Sequence, residues 1–272
     1  MPRPSIRLLI VAAMLAAPLG ACGGESDSGC SSRDSLTVLA ASSLAVVADE
    51  MRARFVDIEP CVDITFSFGS SGALAAQIAS GVPADVFLSA GKKATDQVVD
   101  SQTVVKGSTD FVRNSLAIML NTKSEFAGKI TGLLDLTDAR NSGVLVGLCD
   151  QNAPCGQLAD KVLSNAVTAG IYVSRASVAD TETNSVEGLV NKVELGEIDA
   201  GLVYASDCVA ATQRTVVKCV AIPESVDGKR VNDFTTYSAM TLNAKPQTLR
   251  FFDLVTGAEF VSALTQKFGF SE

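Results

Sequence analysis

Leu36-Thr37-Val38-Leu39-Ala40-Ala41-Ser42-Ser43-Leu44 runs as an apolar stretch into a pair of serines. Six residues without polar alternation read as a strand covered on both faces. Behind the serines, Leu44, Val47, Ala48, Met51 and Phe55 recur at helical spacing and predict a helix over 44–55. Val62-Asp63-Ile64-Thr65-Phe66-Ser67-Phe68 alternates as a second strand, and a helix is expected over 73–80. Gly81-Val82-Pro83-Ala84 is a turn before a third strand, Asp85-Val86-Phe87-Leu88-Ser89-Ala90. A β-α-β-α-β series predicts a parallel sheet with helices on its faces.

The pattern then changes. Asn114-Ser115-Leu116-Ala117-Ile118-Met119-Leu120 is a strand with no helix directly behind it, which suggests a crossover into a second lobe. A second β-α series follows: a strand over 143–148, a helix over 156–169, a strand near 171–178, a helix over 186–195 and a strand over 200–204. Tyr237-Ser238-Ala239-Met240-Thr241-Leu242 reads as the return crossover, and helices near 246–256 and 258–267 close the chain. The expected division is 35–113 plus 238–272 for lobe 1 and 114–237 for lobe 2. In such α/β sheets a ligand sits at the carboxyl ends of the strands, here in a cleft between lobes.

The first 34 residues read differently. Arg3 and Arg7 precede the apolar Leu8–Ala17, which is too short to span a bilayer, and Leu19-Gly20-Ala21-Cys22 looks like a bacterial lipobox. Residues 1–21 are therefore expected to be a lipoprotein signal peptide, with Cys22 lipid-modified and 22–34 a Gly/Ser/Asp-rich tether. That places the protein outside the cytoplasm, anchored to the outer face of the bacterial cytoplasmic membrane or in the periplasm. Seven cysteines less Cys22 leave six for an oxidising compartment. Proximity suggests the pairs Cys30–Cys61, Cys149–Cys155 and Cys208–Cys219, among 15 connectivities that six cysteines allow. A metal site competes for them, but the chain has no His and no CxxC.

The formal net charge is −8, and two units more negative without residues 1–21, whose only charged residues are Arg3 and Arg7. A surface this acidic argues against nucleic acid as a partner. The absence of His excludes a Ser-His-Asp triad and leaves Cys155 without an imidazole to activate it.

Four junctions carry small polar residues where helices should begin: Ser42-Ser43, Gly69-Ser70-Ser71-Gly72, Asn152-Ala153-Pro154-Cys155-Gly156 and Thr183-Asn184-Ser185. Helix N-termini hold unpaired N–H groups and a partial positive charge, so each is capable of holding an anion. Ser43 is either a plain N-cap or a donor to a ligand, and Ser70-Ser71 either a plain turn or converging donors. Pro154 at a helix start leaves the Cys155 N–H free, and Val186 has a similar N–H. Tyr204 either packs in the core or turns its hydroxyl to the cleft. Lys92, Lys93 and Arg113 read as surface charges.

These residues, in this order, resemble the molybdate-binding lipoproteins of bacterial ABC importers over roughly 35–270. The resemblance is carried by Leu39–Leu44, by Phe68-Gly69-Ser70-Ser71-Gly72-Ala73-Leu74, by Gly81–Ala90 and by Gly196-Glu197-Ile198-Asp199-Ala200-Gly201-Leu202-Val203-Tyr204-Ala205-Ser206-Asp207. It implies a two-lobed α/β fold of the type II periplasmic-binding-protein kind. It implies that the hydroxyls of Ser43, Ser71 and Tyr204 and the backbone N–H groups of Cys155 and Val186 hold a tetrahedral oxyanion. Cys155 departs from the family's Pro-Ala-Gly segment. Molybdenum would be bound only as the oxyanion, with no protein–metal ligand and no cofactor. The implied protein is a monomeric receptor, not an enzyme, that delivers molybdate and tungstate to a membrane permease. The alternatives are a receptor for sulfate, thiosulfate, phosphate or an organic anion, a hydrolase using Ser43 or Ser71, and a purely structural surface lipoprotein.

Overall fold

A computed structural model of the chain describes residue 30 and residues 32–101, 107–137, 143–213 and 216–272. The expected signal peptide, Cys22 and most of the tether lie outside the described residues; at the tether's end, Cys30 is tied to Cys61 and Asp34 already opens the first strand. No helix among the described residues is long and apolar enough to cross a membrane.

The opening series folds as the spacing predicts. Strands β1 (Asp34–Ala41), β2 (Val62–Gly69) and β3 (Val86–Ala90) pair in parallel with β1 in the middle. Helices α1 (Ala48–Ile58), α2 (Ser71–Ala79) and α3 (Lys92–Asp100) connect and cover them. The absence of alternation in β1 has a direct cause. Leu36, Val38 and Ala40 pack against Met51 and Phe55 on one face, while Leu39 meets Leu74, Ile78 and Val98 on the other. Each such buried aliphatic side chain contributes roughly 1.5–3 kcal/mol over an exposed one.

The second half comprises β4 (Ser108–Asn121), β5 (Val146–Cys149), α4 (Pro154–Thr168), a single-turn α5 (Arg175–Val178), β6 (Thr181–Thr183), α6 (Val186–Leu195), β7 (Ala200–Tyr204) and α7 (Ala205–Thr212). Then come β8 (Val217–Ala221), a small hairpin of β9 (Ser225–Val226) and β10 (Lys229–Arg230), and the long β11 (Phe234–Thr241). Helices α8 (Pro246–Thr256) and α9 (Ala258–Phe268) pack back on the first half, through Phe251, Val255, Phe260 and Leu264. The main sheet runs β2-β1-β3-β11-β4-β7-β5-β6, with β8 also on β4.

The two antiparallel strands β4 and β11 hold the halves together. Residues 108–115 of β4 pair with β11, and residues 116–121 pair with β7 and β8. The larger hydrophobic core draws only on Leu116–Val231, whereas the clusters of the first half draw on Leu36–Val112 and Tyr237–Phe270. All three expected disulfides are present, Cys30–Cys61, Cys149–Cys155 and Cys208–Cys219, with Cα–Cα distances of 5.5, 5.7 and 5.9 Å.

Two expectations need correction. The strand near 171–178 is instead the short helix α5, because Ser174 and Ser177 form a reciprocal capping box. The strand itself lies at Thr181–Thr183, pairing with β5. The helix expected over 44–55 begins as a 3-10 turn over Ser42–Val47, and its first turn is not capped by Ser43. The Ser43 hydroxyl is engaged elsewhere, as shown below.

Asp85 fastens the start of β3. Its carboxylate accepts from the Thr37 N–H (2.6 Å), Asn243 Nδ2 (2.6 Å) and Lys245 Nζ (2.8 Å). Burial alone would raise its pKa, but Lys245, Thr37 and Asn243 outweigh that and hold it below the usual carboxylate range. The stability Asp85 contributes is therefore present above its unfolded pKa, near 3.9, and lost as pH falls through the lower folded value. Asp85→Asn is expected to lower Tm at neutral pH and to flatten its decline on acidification. Melting curves between about pH 2 and 7 check this, and parallel wild-type and variant curves would refute it.

Candidate functional site

The helices that follow the parallel strands begin at one place. Ser71 is the first residue of α2, Cys155 the second of α4, and Val186 the first of α6. In a first turn no carbonyl lies four residues earlier, so these N–H groups have no helical partner. Tyr204 ends β7 directly before α7. All five expected residues, Ser43, Ser71, Cys155, Val186 and Tyr204, are buried and line a single cavity of about 10 Å³. A volume of that order suits one small guest. Ser42, Ser70, Asn184 and Ser185 complete its polar wall, and no charged side chain lines it. A wider cleft of about 410 Å³ opens beside it, bordered by Lys93, Gln97, Asp150, Asn152 and Gln157.

Partners stand behind two of the hydroxyls. Ser71 Oγ accepts the Ala90 N–H at 2.9 Å, which leaves its own proton for another acceptor. Ser43 Oγ lies 2.7 Å from the Tyr237 hydroxyl. Ser185 spends its hydroxyl oxygen on the Gly188 N–H and so serves as an N-cap. Tyr204 is fully buried, yet its hydroxyl has no hydrogen-bond partner; those of Tyr237 and Thr235 are neighbours without bonding geometry. A buried hydroxyl without a partner costs about 1–3 kcal/mol. Burial first, then Tyr237 and the charge of Asp207, push the Tyr204 pKa well above its ordinary value. It therefore keeps its proton and acts as a donor.

The 150–156 turn has been built around its backbone. Cys149–Cys155 closes it, the Asp150 carbonyl receives the Ala153 N–H at 2.9 Å, and the Asp150 side chain takes the Asn152 N–H at 2.8 Å. Arg175 grips it from behind, donating to the Cys149 and Gly156 carbonyls at 2.8 and 3.1 Å while paired with Asp160 and Glu182. Burial would lower the Arg175 pKa, and the two carboxylates more than offset that.

Lys92 is a surface charge paired with Asp96, and Arg113 lies over the Phe234 ring at 4.7 Å. Lys93, expected to be a plain surface charge, borders the outer cleft. Sequence reasoning did not single out Tyr237, Asn114 or Ser206. They sit on or beside the crossover strands, and Ser43 is 194 positions from its partner Tyr237. No local pattern could have joined them.

A buried cavity of hydroxyls and helix N-termini, lined by no charged side chain and lying between two halves of an α/β sheet, defines a receptor for a small solute. The chain belongs to the bacterial extracellular solute-binding proteins, whose family pattern matches residues 36–271. It is 32% identical over 221 residues, 79% of each chain, to the molybdate-binding protein ModA of Mycobacterium bovis. Its fold is shared with the periplasmic molybdate-binding protein of Azotobacter vinelandii (TM-score 0.65, 20% identity, covering 87% of this chain and 99% of that one). It is shared equally with the sulfate-binding protein SubI of Mycobacterium tuberculosis (TM-score 0.70, 14% identity, covering 88% and 86%).

Proposed function

We propose that this protein is an extracytoplasmic receptor that binds molybdate, and tungstate with it, and delivers the ion to an ABC permease. The observation that carries this reading is the Tyr204 hydroxyl, buried, protonated and without a partner, in a cavity whose polar wall is serine hydroxyls, an amide and helix N-termini. A dianion supplies the missing acceptor. Helix dipoles and converging N–H and O–H groups replace its water, so no counter-charge is needed. A donor-only site suits an ion that is fully deprotonated at neutral pH. Hydrogen phosphate carries a proton that needs an acceptor, and here it would face another donor. Sulfate differs from molybdate mainly in radius, and the fold alone does not choose between them. The similarity to ModA favours molybdate.

In the same reading, 1–21 is a signal peptide, Cys22 carries the lipid anchor on the outer face of the membrane, and 22–34 is a tether to a monomeric body. Residues 35–113 with 238–272 form one lobe and 114–237 the other, a division the separate hydrophobic cores support except at Tyr237, which packs in the core of the first. The reading includes no catalysis. Ser71 Oγ bonds a backbone N–H rather than a base, and the chain contains no His.

Thermal unfolding with molybdate, tungstate, sulfate and phosphate in separate titrations tests this. Molybdate and tungstate at 1,000 times Kd are expected to stabilise by about 4 kcal/mol, with little effect from the other two. A shift with sulfate or phosphate alone would refute the assigned ion. No shift with any of the four would refute the receptor.

A further inference from the structure

Behind the cavity the two crossover strands carry a buried polar pair that no expectation assigned. Tyr237 on β11 is fully buried, and its hydroxyl is 2.7 Å from Ser43 Oγ. Asn114 on β4, also buried, places Nδ2 at 3.4 Å from the same Tyr237 oxygen and at 2.7 Å from Ser206 Oγ. The Ser206 N–H returns to Asn114 Oδ1 at 3.5 Å. Ser206 lies two residues after Tyr204, whose ring packs against that of Tyr237 with centroids 6.1 Å apart. The chain of contacts thus links the Ser43 wall of the cavity to the Tyr204 wall through the two strands that join the halves.

The direction of these bonds decides what they do. An amide nitrogen only donates, so the Tyr237 oxygen accepts from Asn114. Either hydroxyl could donate across the 2.7 Å contact; the Asn114 bond fills one acceptor site on the Tyr237 oxygen and favours the Tyr237 proton pointing to Ser43 Oγ. With a lone pair taken, Ser43 turns its own proton to the cavity. The opposite polarity would send the Ser43 proton to Tyr237 and leave serine lone pairs facing a dianion. We propose that Tyr237, held by Asn114, is a positioning residue that fixes Ser43 as a donor and thereby gives the cavity its preference for a fully deprotonated oxyanion. This rests on the oxyanion-receptor reading above.

The test is calorimetric titration of the protein with sodium molybdate in a double-mutant cycle. Tyr237→Phe is expected to weaken molybdate binding about tenfold, the effect of one neutral hydrogen bond lost from behind the site. In a Ser43→Ala background, where no hydroxyl remains to orient, the same change is expected to alter Kd by less than about twofold. A general loosening of the fold would act equally in both backgrounds. Asn114→Leu offers an independent arm should Tyr237→Phe fail to fold, and its loss of affinity is likewise expected to vanish without Ser43. Wild-type binding with either variant unchanged, or with an equal loss in both backgrounds, overturns the positioning role alone. Absence of wild-type binding overturns the receptor reading beneath it.

Discussion

Gly156→Ala is expected to weaken molybdate binding about 10- to 100-fold and to lower Tm by about 6–12 °C. A Cβ at this position would fall 1.9 Å from the Asp150 carbonyl oxygen, 2.5 Å from its carbon and 2.8 Å from the Cys149 oxygen. All three are backbone atoms, so no side chain can swing aside. The turn must move, yet Cys149–Cys155 and the Arg175 bonds to the Cys149 and Gly156 carbonyls fasten both its ends. Overpacking against backbone costs roughly 3 kcal/mol, which gives the Tm shift at about 2–4 °C per kcal/mol for a chain of this size. The displaced first turn of α4 takes the Cys155 N–H with it. Losing a donor to a charged ligand costs about 1.5–3 kcal/mol, or 10- to 100-fold in Kd. Exchanging both Cys149 and Cys155 for Ala keeps the N–H and the glycine, so its effect on Kd is expected to be much smaller. Calorimetry on both variants separates the cases. Wild-type affinity in Gly156→Ala would show that the α4 terminus holds no ligand.

Tyr204→Phe is expected to move stability and affinity in opposite directions. In the free protein the hydroxyl is buried without a partner, so its removal relieves a desolvated group and raises Tm. In the proposed complex the same hydroxyl would donate to the dianion, and its removal is expected to weaken molybdate binding about 10- to 100-fold. Ser71→Ala provides the contrast. Ser71 Oγ receives the buried Ala90 N–H, so alanine strands that donor and lowers Tm while also weakening binding. Melting curves with and without molybdate read both quantities. A Tyr204→Phe protein less stable than wild type and unchanged in affinity would place this tyrosine in the core rather than the site.

Much of the molecule follows from local rules. The run Leu36–Ala41 without alternation is legible as a doubly covered strand, because both of its faces need apolar side chains. Three of the four helix starts stand where small polar residues follow a strand, since a first turn needs caps or free N–H groups wherever it occurs. The strand expected near 171–178 fails for an equally local reason. Ser174 and Ser177 satisfy one another's backbone and stabilise a turn of helix that apolar spacing does not register.

What the chain by itself determined, then, is the alternation of strands and helices in each half and the small polar residues at the helix starts, while the cysteine pairs are suggested only by proximity in the chain. What only the tertiary structure decided is the polarity and the company of the polar groups. Ser43 is not a cap but a hydroxyl backed by Tyr237, and Tyr204 is not a satisfied core residue but an orphaned donor. Both facts arise where β4 and β11 cross between the halves and bring together residues nearly two hundred positions apart. Hydrogen-bond direction depends on every partner of an atom at once, and those partners become neighbours only when the sheet has closed.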